Sequence, residues 1–237
     1  MCDLFGLSCN GQDKATTSLQ YFADHSTRNP HGWGVAYYRG SEAVLRKKPE
    51  AAKTSDDFHM AIGEAESNLI ISHIRNASRG ELHERNCHPF MQVFQDRHWV
   101  FAHNGHVDGI GKHHRAKGET DSETVFNILL DGIEEYHSIN EVGGNYSGLK
   151  YSVKNLFNEY EFGRDIKLNF LLTDGNMMYA FNHHPEKPFY YARRQRPYGG
   201  AFTISTQKLD GDDWKKLPED RILLVNNGEV QALSHLI

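Results

Sequence analysis

Met1-Cys2-Asp3-Leu4-Phe5-Gly6 opens the chain, and its reading governs everything after it. Residues 3–8 form a short apolar strand directly behind Cys2. A small residue behind the initiator methionine is one that cells commonly leave exposed by removing the methionine. A chain that begins at Cys2 carries a thiol and a free α-amino group on one residue. The thiolate is the nucleophile, and a free thiol titrates near ~8.5. The α-amine titrates near ~7.7–8.0, so a useful fraction is unprotonated at neutral pH. Nucleophile and general base then share one residue, which is activation by an adjacent base. With Met1 retained, the Cys2 nitrogen is an amide and cannot be that base, so activity is expected to require its removal. The competing reading is a cysteine that merely starts a strand, and position alone does not choose between them.

Outward from this strand the pattern is mixed. Residues 15–25 read as a helix, with Leu19, Phe22 and Ala23 at helical spacing. Residues 35–38 and 44–46 read as a strand pair, and Ser55 as the N-cap of a helix over 56–66. Residues 68–74 are a buried strand. Residues 99–103 are another, expected to end at a turn made by Asn104-Gly105. Thr120 or Asp121 caps a helix with Val125, Ile128, Leu129 and Ile133 on one face. Gly143-Gly144 breaks the pattern before a helix over 149–160. Strands follow at 168–172, 177–181, 189–192, 202–205, 222–225 and 229–233, with hairpin signals at Asp174-Gly175 and Asn227-Gly228. Tight turns between strands predict mostly antiparallel sheets. Two sheet layers covered by helices fit this order, an α+β fold. No linker or internal repeat divides the chain, so residues 1–237 are expected to form one domain.

Composition narrows the function. A net charge of −5 gives no electrostatic case for nucleic acid, which needs a clustered basic face. The run Arg193-Arg194-Gln195-Arg196 is short and reads as a solvated loop. No apolar stretch approaches the ~20 residues that span a bilayer, and no secretory signal pattern is present, so no membrane partner is expected. Three cysteines, an odd number without framework spacing, point to a reducing, cytoplasmic setting. Among fifteen histidines, His83, Cys87 and His88 lie close together, as do the pairs His113-His114 and His183-His184. None has the spacing of a zinc site, so no metal and no cofactor are expected. These histidines are read as surface or hydrogen-bonded groups.

Three further segments put polar residues where apolar elements end, the usual place for a site. They are Ser72-His73-Ile74-Arg75-Asn76-Ala77-Ser78-Arg79-Gly80, Phe101-Ala102-His103-Asn104-Gly105, and Gly118-Glu119-Thr120-Asp121-Ser122-Glu123. An arginine presents a planar fork matched to a carboxylate. An aspartate can hold an ammonium. An Asn amide beside a glycine N–H offers two donors to an oxyanion. Together they suit an α-amino acid whose side-chain amide is attacked by Cys2. Taken singly, each has a bland reading: a structural ion pair for Arg75, a hairpin turn for Asn104-Gly105, a helix cap for Asp121.

With Met1–Gly6, His31-Gly32-Trp33-Gly34, His73–Ser78, Cys87-His88-Pro89-Phe90, Phe101–Gly105, Thr120–Glu123, Leu168–Gly175 and Ile204-Ser205-Thr206 in this order, the chain resembles the class II, N-terminal-nucleophile glutamine amidotransferase domain. The resemblance is greatest to its stand-alone branch. It implies a four-layer αββα sandwich. It implies Cys2 as nucleophile with its freed α-amine as base, and Asn104 and Gly105 as the oxyanion hole. It implies Arg75 on the substrate α-carboxylate, Asp121 on the α-ammonium, and Ser78 in the pocket lining. Better-known members carry tryptophan and histidine where Asn76 and Arg79 stand, which leaves the pocket rim open.

The expected reaction is that of a cysteine amidohydrolase. Cys2 attacks the side-chain amide of L-glutamine, a γ-glutamyl thioester forms with release of ammonia, and water yields glutamate. The alternative is a γ-glutamyl hydrolase acting on another γ-glutamyl amide, of the ergothioneine or glutathione pathway type. A reading of another class is a non-catalytic glutamine-binding regulatory subunit, which would not need the nucleophile. The glutaminase domain uses up the 237 residues, and no GxxxxGK[ST] loop is present, so any ammonia user is expected to be a separate synthase subunit.

Overall fold

The computed structural model describes residues 2–160, 166–196 and 199–237, so the state of Met1 lies outside the described residues. The strands are β1 (Asp3–Asp13), β2 (Trp33–Arg39), β3 (Glu42–Lys48), β4 (Ser67–Ile74), β5 (Phe90–Phe94), β6 (Arg97–Val107), β7 (Ile166–Thr173), β8 (Met178–His183), β9 (Tyr190–Arg196), β10 (Gly199–Ser205), β11 (Lys215–Lys216), β12 (Ile222–Asn226) and β13 (Glu229–Leu233). The α-helices are α1 (Thr16–Ala23), α2 (Asp56–Glu64), α3 (Asp121–Ile139) and α4 (Asn145–Tyr160). One sheet has the order β11-β9-β10-β1-β4-β2-β3, the other β13-β12-β8-β7-β6-β5. The strand pairs, among them β1 with β10 and β4 and β6 with β5 and β7, are antiparallel.

The alternation along β1 explains the layering. Phe5, Leu7 and Cys9 point to one face and join Leu19 and Phe22 of α1 and Phe58 and Ile62 of α2 in a buried cluster. Leu4 points to the other face and joins Ala102, Leu171, Met178 and Leu223 of the second sheet. Gly6 lies on that same face, where an added Cβ would come 2.9 Å from Leu171 and 3.1 Å from Met178, so the sheets close up over it. On the far side of the second sheet, Val125, Phe126, Leu129 and Ile133 of α3 and Leu149, Val153 and Leu156 of α4 cover Phe101, Phe170 and Phe181. The result is the expected α+β, four-layer αββα sandwich with antiparallel sheets.

Three local expectations are corrected. Asn104-Gly105 is not a hairpin turn, because β6 continues through Val107, pairing Asn104 with Asn169 and Gly105 with Leu168. Arg193–Arg196 is not a loop but the end of β9, where Arg194 pairs with Asp210 and Asp212 and donates to Ser18 Oγ at 2.7 Å. β5 was not anticipated. Its two buried phenylalanines alternate with exposed Met91 and Val93, which blurs the inside-outside pattern. Its turn is Gln95-Asp96, both at positive φ (51° and 56°), without the glycine that marks such turns. The short strand β11 was not read either, and the helix read over 149–160 begins at Asn145, whereas Ser55 Oγ caps α2 as expected by accepting from Phe58 N.

The histidines are not all surface groups. His73 of β4, His88 and His103 of β6 are buried, with the His73 and His88 rings 4.2 Å apart and the His103 ring on the α3 side of its sheet, against Ser122. His103 N donates to His88 Nδ1 at 3.2 Å. Among the described residues, neither ring nitrogen of His73 has a hydrogen-bond partner. Burial, reinforced by Arg75 and His103, pushes His73 down to about 3. Burial likewise holds His88 well below its usual value.

A histidine with a lowered folded pKa binds its proton less readily folded than unfolded. Its stabilisation is complete above the unfolded value near ~6.5 and erodes as pH falls from there towards the folded value. Each such histidine costs about 1.4 kcal/mol per pH unit in that window. Melting temperature should therefore fall between pH 7.5 and pH 5. His73→Gln should show a smaller fall than wild type, by about 2 kcal/mol of stability at pH 5. Equal falls in both proteins would place the titration elsewhere.

Candidate active site

Register brings the separate segments together. Asp3 of β1 pairs with Ile74 of β4, so Cys2 lies beside the chain as it leaves β4 at Arg75 and Asn76. Cys2 Sγ accepts from Asn76 N at 3.3 Å, and its own S–H reaches Asn76 O at 3.5 Å. Burial raises the thiol above its ordinary value, with Asp3 adding to this and the Asn76 N–H and Arg75 opposing it. The group is a thiol at neutral pH, so attack needs a base to take its proton.

Asp3 is a site residue that the sequence reading missed. Its carboxylate is fully buried and accepts from Asn29 Nδ2 at 2.8 Å, Thr206 Oγ1 at 2.8 Å and Lys187 Nζ at 3.1 Å. These bonds pin the residue that follows Cys2. The available signal was one charge placed inside an apolar strand.

Arg75 is 3 % exposed, yet among the described residues it has no carboxylate partner. Its guanidinium donates to the carbonyls of Arg79 (2.8 Å), Gly80 (3.3 Å) and Glu81 (3.1 Å). A buried cation without a counter-charge is costly, and carbonyl oxygens offset only part of that cost. The bland reading of Arg75 as one half of an ion pair does not apply.

Asn104 is 2 % exposed and, among the described residues, its Nδ2 has no partner, an unused donor beside Cys2. Gly105 has φ +146°, and a Cβ there would lie 1.7 Å from Lys167 O, so only glycine fits. His103 lies beneath it, with Nε2 3.0 Å from Lys167 O and Nδ1 2.9 Å from Ser122 Oγ. Nε2 faces a carbonyl and must carry the hydrogen, leaving Nδ1 to accept from Ser122.

Thr120, not Asp121, caps α3, its Oγ1 accepting from Glu123 N at 3.4 Å. Asp121 is the first residue of the helix, where the dipole favours an anion. Its Oδ2 accepts from Val107 N and its Oδ1 from Ser122 N, each at 2.9 Å.

Two cavities meet at Cys2, and Ser78 and Gly105 line both. The smaller, about 30 Å³, also has Arg75, Asp121 and Ser122 in its wall. The larger, about 290 Å³, has Asn104, Lys167 and His184. All six residues singled out in the sequence therefore border one connected cleft. Lys167 and His184 were not anticipated, and only the strand register assembles them there. Among the described residues, no three histidine, cysteine, aspartate or glutamate side chains converge as metal ligands would, and no helix is long and apolar enough to cross a membrane.

Residues 1–203 match the family described as "Glutamine amidotransferases class-II". An uncharacterized protein of Methanocaldococcus jannaschii is 29 % identical over 97 % of this chain and 70 % of its own length. The Escherichia coli protein named "Putative glutamine amidotransferase YafJ" is 29 % identical over 90 % of this chain and 83 % of its own. A 2.0 Å crystal structure from Pseudomonas aeruginosa, described as a predicted glutamine amidotransferase, superposes with a TM-score of 0.69 at 23 % identity, over 98 % of this chain and 100 % of that one. With a buried arginine, an unused amide donor and a half-buried thiol gathered at one cleft, and with the family match running over most of its length, this chain belongs to the class-II glutamine amidotransferases.

Proposed function

We propose that the protein is a Cys2-dependent amidohydrolase that opens the side-chain amide of L-glutamine or of another γ-glutamyl amide. The observation that carries the reading is that Cys2 shares one cavity wall with Arg75, a buried cation whose partners among the described residues are carbonyl oxygens and not a carboxylate. With Met1 removed, the Cys2 α-amine takes the thiol proton and the thiolate attacks the γ-carbonyl. Asn104 Nδ2 and Gly105 N–H donate to the oxyanion. The C–N bond breaks, and the leaving amine takes the proton from the α-ammonium. Water then adds to the thioester, returning the thiol and releasing glutamate.

The head group is held by Arg75 and Asp121, with Ser78 in the pocket wall. A volume of about 30 Å³ holds little more than one water, so entry requires the exposed segment 78–80 to move outward. That movement removes the Arg79 and Gly80 carbonyls from the Arg75 fork, and the substrate carboxylate takes their place. A carboxylate is the stronger partner, because a charge-assisted pair is about twice as strong as a neutral one. The regulatory-subunit reading is not favoured, since a sensor has no use for an unused oxyanion donor beside a thiol. An ammonia-using synthase subunit remains a partner for the glutamine reaction.

Cys2→Ala should abolish ammonia release from glutamine while the melting temperature stays near wild type. A glutamine-like electrophile should label Cys2 and leave buried Cys9 and Cys87 untouched. Labelling that persists in Cys2→Ala rules the nucleophile out.

Retention of Met1 should silence the enzyme. A bulky residue inserted behind Met1 blocks its removal, and mass spectrometry verifies the terminus. Equal turnover by processed and unprocessed protein would make some other group the base.

Arg75→Lys and Asp121→Asn should each lower kcat/KM for glutamine about tenfold to a hundredfold, from a lost charge-assisted contact of roughly 1.5–3 kcal/mol. 4-Aminobutanamide, which lacks the α-carboxylate, should be a poor substrate for wild type and suffer no further loss in Arg75→Lys. A parallel loss on both substrates would reduce Arg75 to a brace for its loop.

A further inference from the structure

Packing explains three members of the segment His31-Gly32-Trp33-Gly34. Trp33 is buried in the core, and its Nε1 donates to Ser55 Oγ at 3.1 Å. A Cβ at Gly34 would run into the His88 carbonyl, and one at Gly32 would come 2.6 Å from Cys87 Sγ. His31 is only half-buried, and its bonds run to the segment that borders Cys2.

In its sheet β4 lies between β1 and β2, with Ile74 opposite Asp3 on one side and opposite Trp33 on the other. Two backbone bonds carry the β2 side one residue further. His31 N donates to Arg75 O at 3.1 Å, and Arg75 N donates to Gly32 O at 2.7 Å. The next two N–H groups go to side chains. Asn76 N donates to Cys2 Sγ at 3.3 Å, and Ala77 N donates to His31 Nδ1 at 3.0 Å. The chain leaving β4 is thus held from both neighbouring strands, by Cys2 just ahead of β1 and by His31 just ahead of β2. A backbone N–H can only donate, so Nδ1 offers its lone pair and the ring hydrogen sits on Nε2.

We propose that His31 is a positioning residue for the Cys2 reaction: by accepting from Ala77 N–H it fixes the Asn76–Ala77 peptide and so keeps the Asn76 N–H on Cys2 Sγ. The proposal rests on the Cys2 amidohydrolase reading and adds a residue to it. His31 is not in the wall of either cavity at Cys2, so it acts through the peptide and not on the substrate. It also sets where the outward movement of 78–80 begins, because Ala77 stays behind on the imidazole. Without this bond a half-buried N–H is left unpaired, and the thiol loses the donor that orients it. A displacement of about 1 Å at a reacting group costs on the order of a hundredfold in rate. The backbone bonds that hold Arg75 to residues 31 and 32 do not involve the imidazole, so the grip on the head group survives its loss.

The test compares His31→Asn with His31→Leu, two side chains of one shape that differ in the acceptor. Asn Oδ1 is bonded to Cγ, as Nδ1 is in histidine, and can receive the Ala77 N–H. Protein lacking Met1 is used, with glutamine and γ-glutamylglycine as substrates. In His31→Leu kcat should fall about tenfold to a hundredfold while KM stays within about threefold of wild type. His31→Asn should keep kcat within about threefold of wild type. Should His31→Leu fail to fold, His31→Gln replaces it, since its oxygen lies one bond farther out and misses the N–H. An undiminished kcat in His31→Leu, an equal loss in His31→Leu and His31→Asn, or a loss carried by KM alone overturns the assignment. Any of these with an active wild type removes the role of His31 and leaves the amidohydrolase standing. No turnover of either substrate by wild type removes both.

Discussion

Everything in this structure depends on β1 being buried on both faces at the very start of the chain. It has neighbours on either side in its own sheet, α1 and α2 beneath it and the second sheet above it. Terminal residues are ordinarily frayed unless tied down. Here the tie is the antiparallel ladder to β4 and β10 together with the buried Asp3 carboxylate and its donors. In the proposed reaction, a nucleophile whose own amine is the base has to sit at a chain end and still be rigid. A central strand meets both demands, because it orders residue 3 and leaves residue 2 at the lip of the cleft.

The electrostatics of the cleft follow from its place between the sheets. Among the described residues Arg75 has no carboxylate partner, whereas His73 and His88 are held neutral next to it by burial. The neutral rings add no cation beside the arginine, although the Lys47 ammonium, donating to the Cys87 carbonyl at 2.7 Å, acts on the same two rings. Asp121, at the start of α3, supplies the opposite sign across the same cavity. A zwitterionic head group matches that pair better than any singly charged one. The closed, narrow state follows from the same arrangement, because in the absence of a carboxylate the guanidinium draws the carbonyls of 79–81 onto itself.

How much was legible in the sequence differs from element to element. The helices were, because α3 repeats Val125, Leu129 and Ile133 on one face and α2 begins at a serine cap. The hairpins with Asp174-Gly175 and Asn227-Gly228 were as well, since such pairs tolerate the positive φ these turns need. β5 was not, because its exposed face is as apolar as its buried one. Nor was the continuation of β6. Asn104-Gly105 has turn composition, but its glycine is required by the Lys167 carbonyl 1.7 Å from where a Cβ would be. Contact with a strand some sixty residues away decides that position, and no local pattern reports it.

By itself the sequence determined the α+β class, the order of elements and the residue types of the candidate site, since periodicity, caps and Cys2 are local properties of the chain. Tertiary structure alone decided the rest. It buried Asp3 and gave it partners as distant as Thr206, turned three histidines inward, and, among the described residues, left Arg75 without a carboxylate partner. It also brought Lys167 and His184 to the far side of Cys2. The reason is that charge state and burial are set by what packs across the gap between two sheets. That gap is built from strands whose register, not whose sequence separation, makes them neighbours.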